Sequence, residues 1–331
     1  MTALRYDQIN APLGPFKNFF DNPFMQVKQR LITSSSANSS FVCDRWQMLR
    51  SGMAISPTQG EGVSGYAAVN AGGHWRDTLH VTFDSAGAGA DHYTILWQKL
   101  PFPFRFSNAV FTEEYWIYPT FTGVIGLEKR FRDGVAGTDD IYEISSATYP
   151  VVANVWQRIR HLVSFPAWTP IALGEEARVE ALMWLTTGTN RSAEASYTGP
   201  QTGTISVTSS AFVPGDQRHI EGNLSGVPDY NAELRNCLPF YERSHSDDDV
   251  TLHTANMSAN QDYFFPYDFK APKLLDNPDV DILTQSHAGT VNAGTFSLQR
   301  VKRTGFSVKA RPSSSDVNGY VRFTWECNSE L

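Results

Sequence analysis

The chain has 331 residues, of which 41% are hydrophobic and 18% are charged, and its formal net charge is −7. This apolar content is enough for a sizeable core and excludes wholesale disorder. The acidic balance gives no broad positive field, so we expect no nucleic-acid partner, and no apolar run is long enough to predict membrane insertion. The three scattered cysteines suit small buried residues better than a disulfide framework or a zinc site.

Residues 1–21 form an N-terminal arm without clear periodicity, because prolines and a glycine interrupt any helix. Phe16, Phe19 and Phe20 would be costly to leave in water. We therefore expect the arm to pack, either as a strap over its own domain or by docking onto other proteins of a larger assembly.

Residues 22–218 have the pattern of many short strands joined by Gly, Ser and Thr turns. Thr78–Phe83 alternates, with Leu79, Val81 and Phe83 on one face. Residues 174–185 fit both helical and strand spacing, and the surrounding strands favour a strand. Other strands are predicted over 22–29, 41–49, 92–97, 111–121, 155–165 and 204–208. Together they predict a jelly-roll β-sandwich.

A connector over 219–241 is predicted to contain one short helix. Leu234, Cys237, Leu238 and Tyr241 recur at helical spacing, and Pro239 must end or distort the helix. Strands are then predicted over 263–269, 280–283, 296–301, 305–309 and 319–325. The predicted fold class is therefore all-β: an N-terminal jelly-roll β-sandwich, a short helix, and a smaller C-terminal β-domain over 242–331.

The sequence contains none of the common catalytic motifs, and no local pattern points to a particular Ser-His-Asp triad. Glycan-cleaving enzymes need two carboxylates at a fixed separation. Neighbouring residues on a strand point to opposite faces, so Glu113 and Glu114 cannot converge, and acidic pairs of this kind are expected to be solvated turn or edge charges. A hydrolase or lyase using Glu113 or Glu128 with Asp140 remains an alternative.

The eight histidines show no paired metal-ligand spacing, and no metal site or cofactor is predicted from them. His161 alternates into a strand and is expected to be partly buried with hydrogen-bond partners. The consecutive carboxylates Asp247, Asp248 and Asp249 could coordinate calcium, but a polar loop is favoured because the other spaced ligands are missing.

Aromatic residues make up 13% of the chain, which is enough to supply a core, an interface or a sugar platform. A saccharide presents C–H faces that stack on Trp or Tyr, and hydroxyls that bind polar side chains. Two groups of aromatic residues are candidates for such a saccharide-binding surface. The competing interpretation is that these side chains pack in the core or in contacts between subunits. The predicted carbohydrate-binding residues are Tyr66, His74, Trp75, Arg76 and Asp77 from a Gly-flanked segment, and Tyr118 from a group that also holds Tyr115, Trp116 and Tyr142.

Five segments, in order, resemble a carbohydrate-binding-like jelly-roll module found in phage tail and head fibre and spike proteins. Asp44, Arg45 and Trp46 match its DRW signature. The other segments are 22–30, similar to the opening strand; 155–166, similar to a W-x-R strand containing Trp156; 233–241, similar to the closing E-L-x-x-C segment; and 304–331, similar to a small C-terminal β-domain.

The resemblance implies a receptor-binding subunit of a phage, or of a phage-like particle such as a gene transfer agent, that attaches to host surface polysaccharide. It implies a homotrimer on the virion surface, with the arm contacting other virion proteins. The DRW residues and Trp156 are then structural, since an Asp–Arg pair beside a buried Trp fixes a strand end. The alternatives are a capsule-degrading glycoside hydrolase or lyase, and a structural adaptor or decoration subunit.

Overall fold

The structure, a computed structural model, describes the chain in segments and divides it into two compact units, Met1–Glu233 and Leu234–Leu331. The described residues are 18–21, 23, 25, 39–43, 45–51, 55–61, 77–84, 89–101, 103–135, 141–167, 174, 177–191, 199–220, 224, 230–243, 250–253, 261–273, 278–288, 297–311 and 320–329. The strand predicted over 22–29 is therefore described only at residues 23 and 25.

The first unit is a sandwich of two antiparallel sheets. A six-stranded sheet has the order β1-β2-β5-β10-β7-β8, and a five-stranded sheet has the order β3-β4-β11-β6-β9. The all-β fold class is thus confirmed. The strands are β1 Ser39–Cys43, β2 Trp46–Ser51, β3 Ile55–Glu61, β4 Asp77–Phe83, β5 Tyr93–Pro101, β6 Val110–Pro119, β7 Gly123–Arg132, β8 Ile141–Val151, β9 Gln157–Ser164, β10 Arg178–Thr187 and β11 Gly203–Pro214.

The core lies between the two sheets and is rich in aromatic side chains. The predicted alternation of β4 is confirmed, because Leu79, Val81 and Phe83 are all fully buried in this core. The strand predicted within 174–185 is confirmed as β10. Every residue of β10 is buried, as expected for a central strand covered on both faces, and this explains why its sequence shows no clear period.

The single strand predicted over 41–49 is wrong, because β1 and β2 form a hairpin in which Cys43 pairs with Trp46. The chain reverses at Arg45, whose φ of 71° lies in the left-handed region. Arg45 is held by an ion pair with Asp21 at 3.1 Å and donates to the carbonyl oxygen of Lys99 at 2.5 Å. These contacts stabilise a backbone conformation that a non-glycine residue rarely adopts.

Residues 18–21 pack over the chain's own sandwich, as the strap interpretation expects. Phe20 is buried, and its ring centroid lies 5.2 Å from that of Trp46. The side-chain oxygen of Asn18 accepts a hydrogen bond from the Phe212 amide at 2.8 Å, and its nitrogen donates to the Ser210 carbonyl at 3.0 Å. Residues 1–17 lie outside the described part of the chain.

The helix predicted in the connector is confirmed as α1, Tyr230–Cys237, which ends before Pro239. The second unit has β18 at the centre of one sheet, with β12 and β13 along one edge and β15 along the other, and a separate sheet in the order β14-β17-β16. Its strands are β12 Tyr241–Arg243, β13 Val250–His253, β14 Tyr263–Asp268, β15 Asp279–Ala288, β16 Ser297–Lys302, β17 Gly305–Ala310 and β18 Tyr320–Asn328.

Buried cysteines occur in both units: Cys43 in the first, and Cys237 and Cys327 in the second. All three are free thiols in buried positions, as the sequence predicts.

Candidate functional site

The predicted carbohydrate-binding residues are described only in part. Asp77 is the first residue of β4 and pairs with Glu61 at the end of β3, and Tyr118 lies on β6. Four of the six predicted residues lie in the segment between the end of β3 and the start of β4. Tyr66, His74, Trp75 and Arg76 lie outside the described residues, as do Asp44 of the DRW signature, Asp140, and the calcium candidates Asp247, Asp248 and Asp249.

The second predicted aromatic group is divided by the alternation of β6. Tyr115 is fully buried in the core, whereas Trp116 and Tyr118 are half-buried on the outer face of the five-stranded sheet. Tyr142 lies on β8 of the other sheet and is 41% exposed. The structure therefore brings together only two members of the group.

Trp116 and Tyr118 are joined on the same face by residues from β9 and its approach. The half-buried ring of Trp156 has its centroid 5.5 Å from that of Tyr118, at an interplanar angle of 50°. The exposed Arg158 pairs across the ladder with Trp116, and its guanidinium lies 5.7 Å from the Trp116 ring centroid. We call Trp116, Tyr118, Trp156 and Arg158 the aromatic platform.

A row of polar side chains runs beside the aromatic platform on β11 and β4. Ser206 is directly opposite both Tyr118 and His80, and its hydroxyl lies 2.7 Å from His80 Nδ1. The hydroxyls of Thr82 and Thr204 lie 2.8 Å apart. The face thus combines flat apolar rings with side chains that donate and accept hydrogen bonds.

A buried ion pair on the same face as the platform joins Glu114, in the middle of β6, to Arg160 on β9. Glu114 accepts from Arg160 at 2.6 Å and from the Leu224 amide at 3.0 Å. Burial raises the pKa of Glu114, and Arg160 opposes that rise. Arg160 also donates to the carbonyl oxygens of Gln217, Arg218 and Ile220, so it holds residues 217–220 against the sheet.

Glu113 points the opposite way, into the sandwich, as strand geometry predicts. Its Oε1 lies 2.5 Å from Lys129 Nζ and accepts from the Tyr115 hydroxyl at 2.5 Å. Burial lowers the pKa of Lys129 and raises that of Tyr115. The expectation that Glu113 and Glu114 are solvated is wrong, because β6 is a central strand and cations from other strands neutralise both carboxylates.

Glu128 lies on the other side of β7 from the Glu113 site. It accepts from Trp184 Nε1 at 2.7 Å and is bonded by Arg130, whereas the next residue, Lys129, faces Glu113. Burial raises the pKa of Glu128. Glu113 points from the five-stranded sheet into the sandwich, whereas Glu128 points away from the sandwich on the six-stranded sheet, so these two carboxylates cannot act on the same glycosidic bond. The pairing of either one with Asp140 lies outside the described residues.

The prediction that His161 is buried and hydrogen-bonded is confirmed. Its Nε2 lies 2.7 Å from the Ser145 hydroxyl, and its Nδ1 lies 2.9 Å from the Tyr149 hydroxyl. Burial lowers the pKa of His161 below its ordinary 6.5 and raises that of Tyr149 to about 12. The charged groups that act on His161 are Glu113, Lys129 and Arg218.

Stability is expected to fall between pH 7.5 and 5.5, and His161→Gln should reduce this slope. The unfolded chain protonates this imidazole before the folded chain does. The contribution of neutral His161 is therefore fully present above about 6.5 and is lost as pH falls toward the lowered pKa. Urea unfolding at the two pH values measures the effect, with exposed His219→Gln as the control. Equal slopes in all three proteins would contradict it.

The described ranges contain no group of three or more His, Cys, Asp or Glu suited to a metal ion. None of their helices is long and apolar enough to cross a membrane.

The sequence placed Trp116 in a candidate aromatic group but did not name it as a binding residue. It did not assign Arg158, the polar residues His80 and Ser206, or a ligand-facing role for Trp156. Trp116 and Tyr118 are two residues apart on a strand, which was the available signal. The position of Trp156 beside Tyr118 depends on the pairing of β6 with β9 and has no local sequence signal.

The comparisons give likeness to solved structures only. No family model and no curated protein matches the chain. A putative sugar binding protein from Bacteroides thetaiotaomicron is 8% identical over 60% of this chain and 100% of its own, with a TM-score of 0.39. The CBM22-1 xylan-binding domain of Paenibacillus barcinonensis Xyn10C is 11% identical over 62% of this chain and 97% of its own, with a TM-score of 0.35. For the arabinose-bound MgGH51 α-L-arabinofuranosidase, identity is 10%, the TM-score is 0.36, and the match spans 62% of this chain but 27% of the enzyme.

Proposed function

We propose that the chain is a receptor-binding subunit that attaches a phage or phage-like particle to host surface polysaccharide, with saccharide bound on the aromatic platform. The observation that carries the proposal is the group of half-buried rings of Trp116, Tyr118 and Trp156 at the surface beside the polar row. Clustered aromatic rings at a surface, next to groups that both donate and accept hydrogen bonds, are typical of a recognition site.

The proposal includes the segment that enters β4 at Asp77. Strand β4 pairs with β11, which carries Ser206 opposite Tyr118. We propose that Tyr66, His74, Trp75 and Arg76, which precede β4 in the sequence, also bind the saccharide. Single saccharide sites are weak, and several copies on one particle supply avidity. We propose a homotrimer on the particle surface for this reason, with the N-terminal arm contacting other virion proteins.

Tyr118→Ala is expected to weaken binding to capsulated host cells by about tenfold, equivalent to about 1.4 kcal/mol. The variant removes one stacking face while leaving the buried core of β6 unchanged. Binding of purified protein to intact cells is measured as a saturation curve, with and without enzymatic removal of capsule. Trp156→Ala should have a similar effect, because the two rings share one surface.

Tyr142→Ala is the matched control, since Tyr142 is a surface tyrosine on the other sheet. Binding that persists after capsule removal, or that falls equally in the control, would contradict the proposal. Release of oligosaccharide would support a hydrolase or lyase. Failure of the unaltered protein to bind would favour a structural adaptor.

A further inference from the structure

The hydrogen bonds around His161 fix which ring nitrogen carries the proton. The Tyr149 hydroxyl donates to the Arg160 carbonyl at 3.2 Å, so its oxygen accepts from His161 Nδ1 at 2.9 Å. With the proton on Nδ1, the lone pair of Nε2 accepts the Ser145 hydroxyl at 2.7 Å. A serine, a neutral imidazole that accepts from it, and a third group that orients the imidazole form the arrangement of an activated nucleophile.

The backbone of β8 is irregular at this serine. Ser145 pairs with Lys129 and Glu143 pairs with Arg130, so Ile144 is an extra residue in the ladder. Such a bulge redirects neighbouring side chains and is common beside active sites. Strands β8 and β9 are the edge strands of their respective sheets, and Ser145 is partly exposed at this edge of the sandwich.

The charges facing His161 suit a proton transfer. Glu113 lies directly across the β6–β9 ladder from His161, and a carboxylate at that position favours an imidazolium. Lys129 and Arg218 act in the opposite direction and keep the resting ring neutral together with burial. The resting state is therefore a base, and the state formed after proton uptake has a nearby counter-charge.

We propose that Ser145 is an acyl-accepting nucleophile with His161 as its general base, acting on small carboxylic esters such as O-acetyl groups. Ser145 Oγ forms a bond to the acyl carbon while its proton passes to His161 Nε2. The ester C–O bond then breaks, and the leaving alcohol takes that proton. Water hydrolyses the acyl-serine by the same route and returns the hydroxyl. The acyl group is small because Ser145 is only partly exposed.

The experiment uses p-nitrophenyl acetate hydrolysis and labelling by a fluorophosphonate probe on the full chain. Ser145→Ala removes the nucleophile, so it is expected to abolish labelling and to lower the hydrolysis rate by about 100-fold or more. Ser146→Ala is the matched control, because the next serine is exposed and donates instead to Glu143 at 2.7 Å. Peptide mapping should place the label on Ser145.

Tyr149 acts as a positioning residue through His161. Tyr149→Phe should lower the maximal labelling rate about tenfold while leaving the probe concentration for half-maximal rate unchanged, which a purely structural role would not produce. His161→Gln should abolish labelling, with thermal melting used to verify folding. An unlabelled parent protein, labelling retained in Ser145→Ala, or a label mapped to another residue would each overturn the proposal.

Discussion

Glu113→Ala is expected to lower the free energy of unfolding of the first unit by about 3–5 kcal/mol. The substitution leaves the ammonium of Lys129 fully buried without the carboxylate 2.5 Å away. It also removes the acceptor of the Tyr115 hydroxyl. An uncompensated buried charge costs more than the ion pair contributed, because neither water nor another anion replaces the lost partner. Urea unfolding monitored by tryptophan fluorescence measures the change.

The double variant Glu113→Leu with Lys129→Met separates loss of a charge from loss of packing. It removes both ions and keeps similar volume, so it should recover most of the stability lost by Glu113→Ala. Glu143→Gln provides a control at an exposed carboxylate. If Glu113→Ala cost less than 1 kcal/mol, or if the double variant were no more stable than it, the account of this ion pair would be wrong.

Trp325→Ala is expected to destabilise the second unit by about 3–5 kcal/mol. The Trp325 ring is fully buried, with its centroid 5.0 Å from that of Tyr267, 5.3 Å from Phe306 and 5.6 Å from Phe269. The second unit is the smaller of the two, so removal of its largest core side chain takes away most of its stability. We expect unfolding of residues 234–331 at a much lower urea concentration.

Trp46→Ala is the matched substitution in the first unit, since Trp46 is also fully buried. Limited proteolysis at low urea should cleave the second unit in Trp325→Ala and the first unit in Trp46→Ala. If both variants gave the same cleavage pattern, the two units would share one unfolding transition, and the expected division would be incorrect.

Strands with one buried apolar face were predictable from the sequence, whereas a strand whose buried residues include charged side chains was not. β4 alternates clearly because one face is core, whereas β7 was missed because Lys129, Arg130 and Arg132 interrupt its apolar pattern. Arg130 pairs with Glu128 on β7 itself, but the partners of Lys129 and Arg132 are Glu113 on β6 and Glu180 on β10. Local sequence does not reveal such long-range pairing.

The sequence also failed to predict four other strands, namely β3, β8, β12 and β13. β8 is mostly exposed along its length, so it has no apolar face to mark it, and β12 and β13 are only three and four residues long. The hairpin of β1 and β2 was predicted as one strand because both arms are apolar and the reversal occurs at an arginine. Its φ is stabilised by Asp21, another long-range contact.

The sequence predicted the kinds of side chain in the candidate site better than it predicted which residues come together. Tyr118 was named from the sequence and lies on the aromatic platform, and its role in carbohydrate binding stays a prediction. Strand geometry correctly separated Glu113 from Glu114. The grouping of Tyr115 with Tyr118 ignored the alternation that directs one ring inward and the other outward. Trp156 joins Tyr118 only through the β6–β9 register, which one sequence does not determine.

The hydrogen bonds of Arg160 have a mechanical consequence. Arg160 bonds Glu114 and donates to three carbonyl oxygens within residues 217–220, and Glu114 also accepts from the Leu224 amide. A pull on the chain beyond Leu224 would therefore load β6 and β9 through these side chains before it peeled residues 217–220 from the sheet. The same two strands carry the aromatic platform. The strands that first bear such a pull are therefore also the strands on which Trp116, Tyr118 and Arg158 lie.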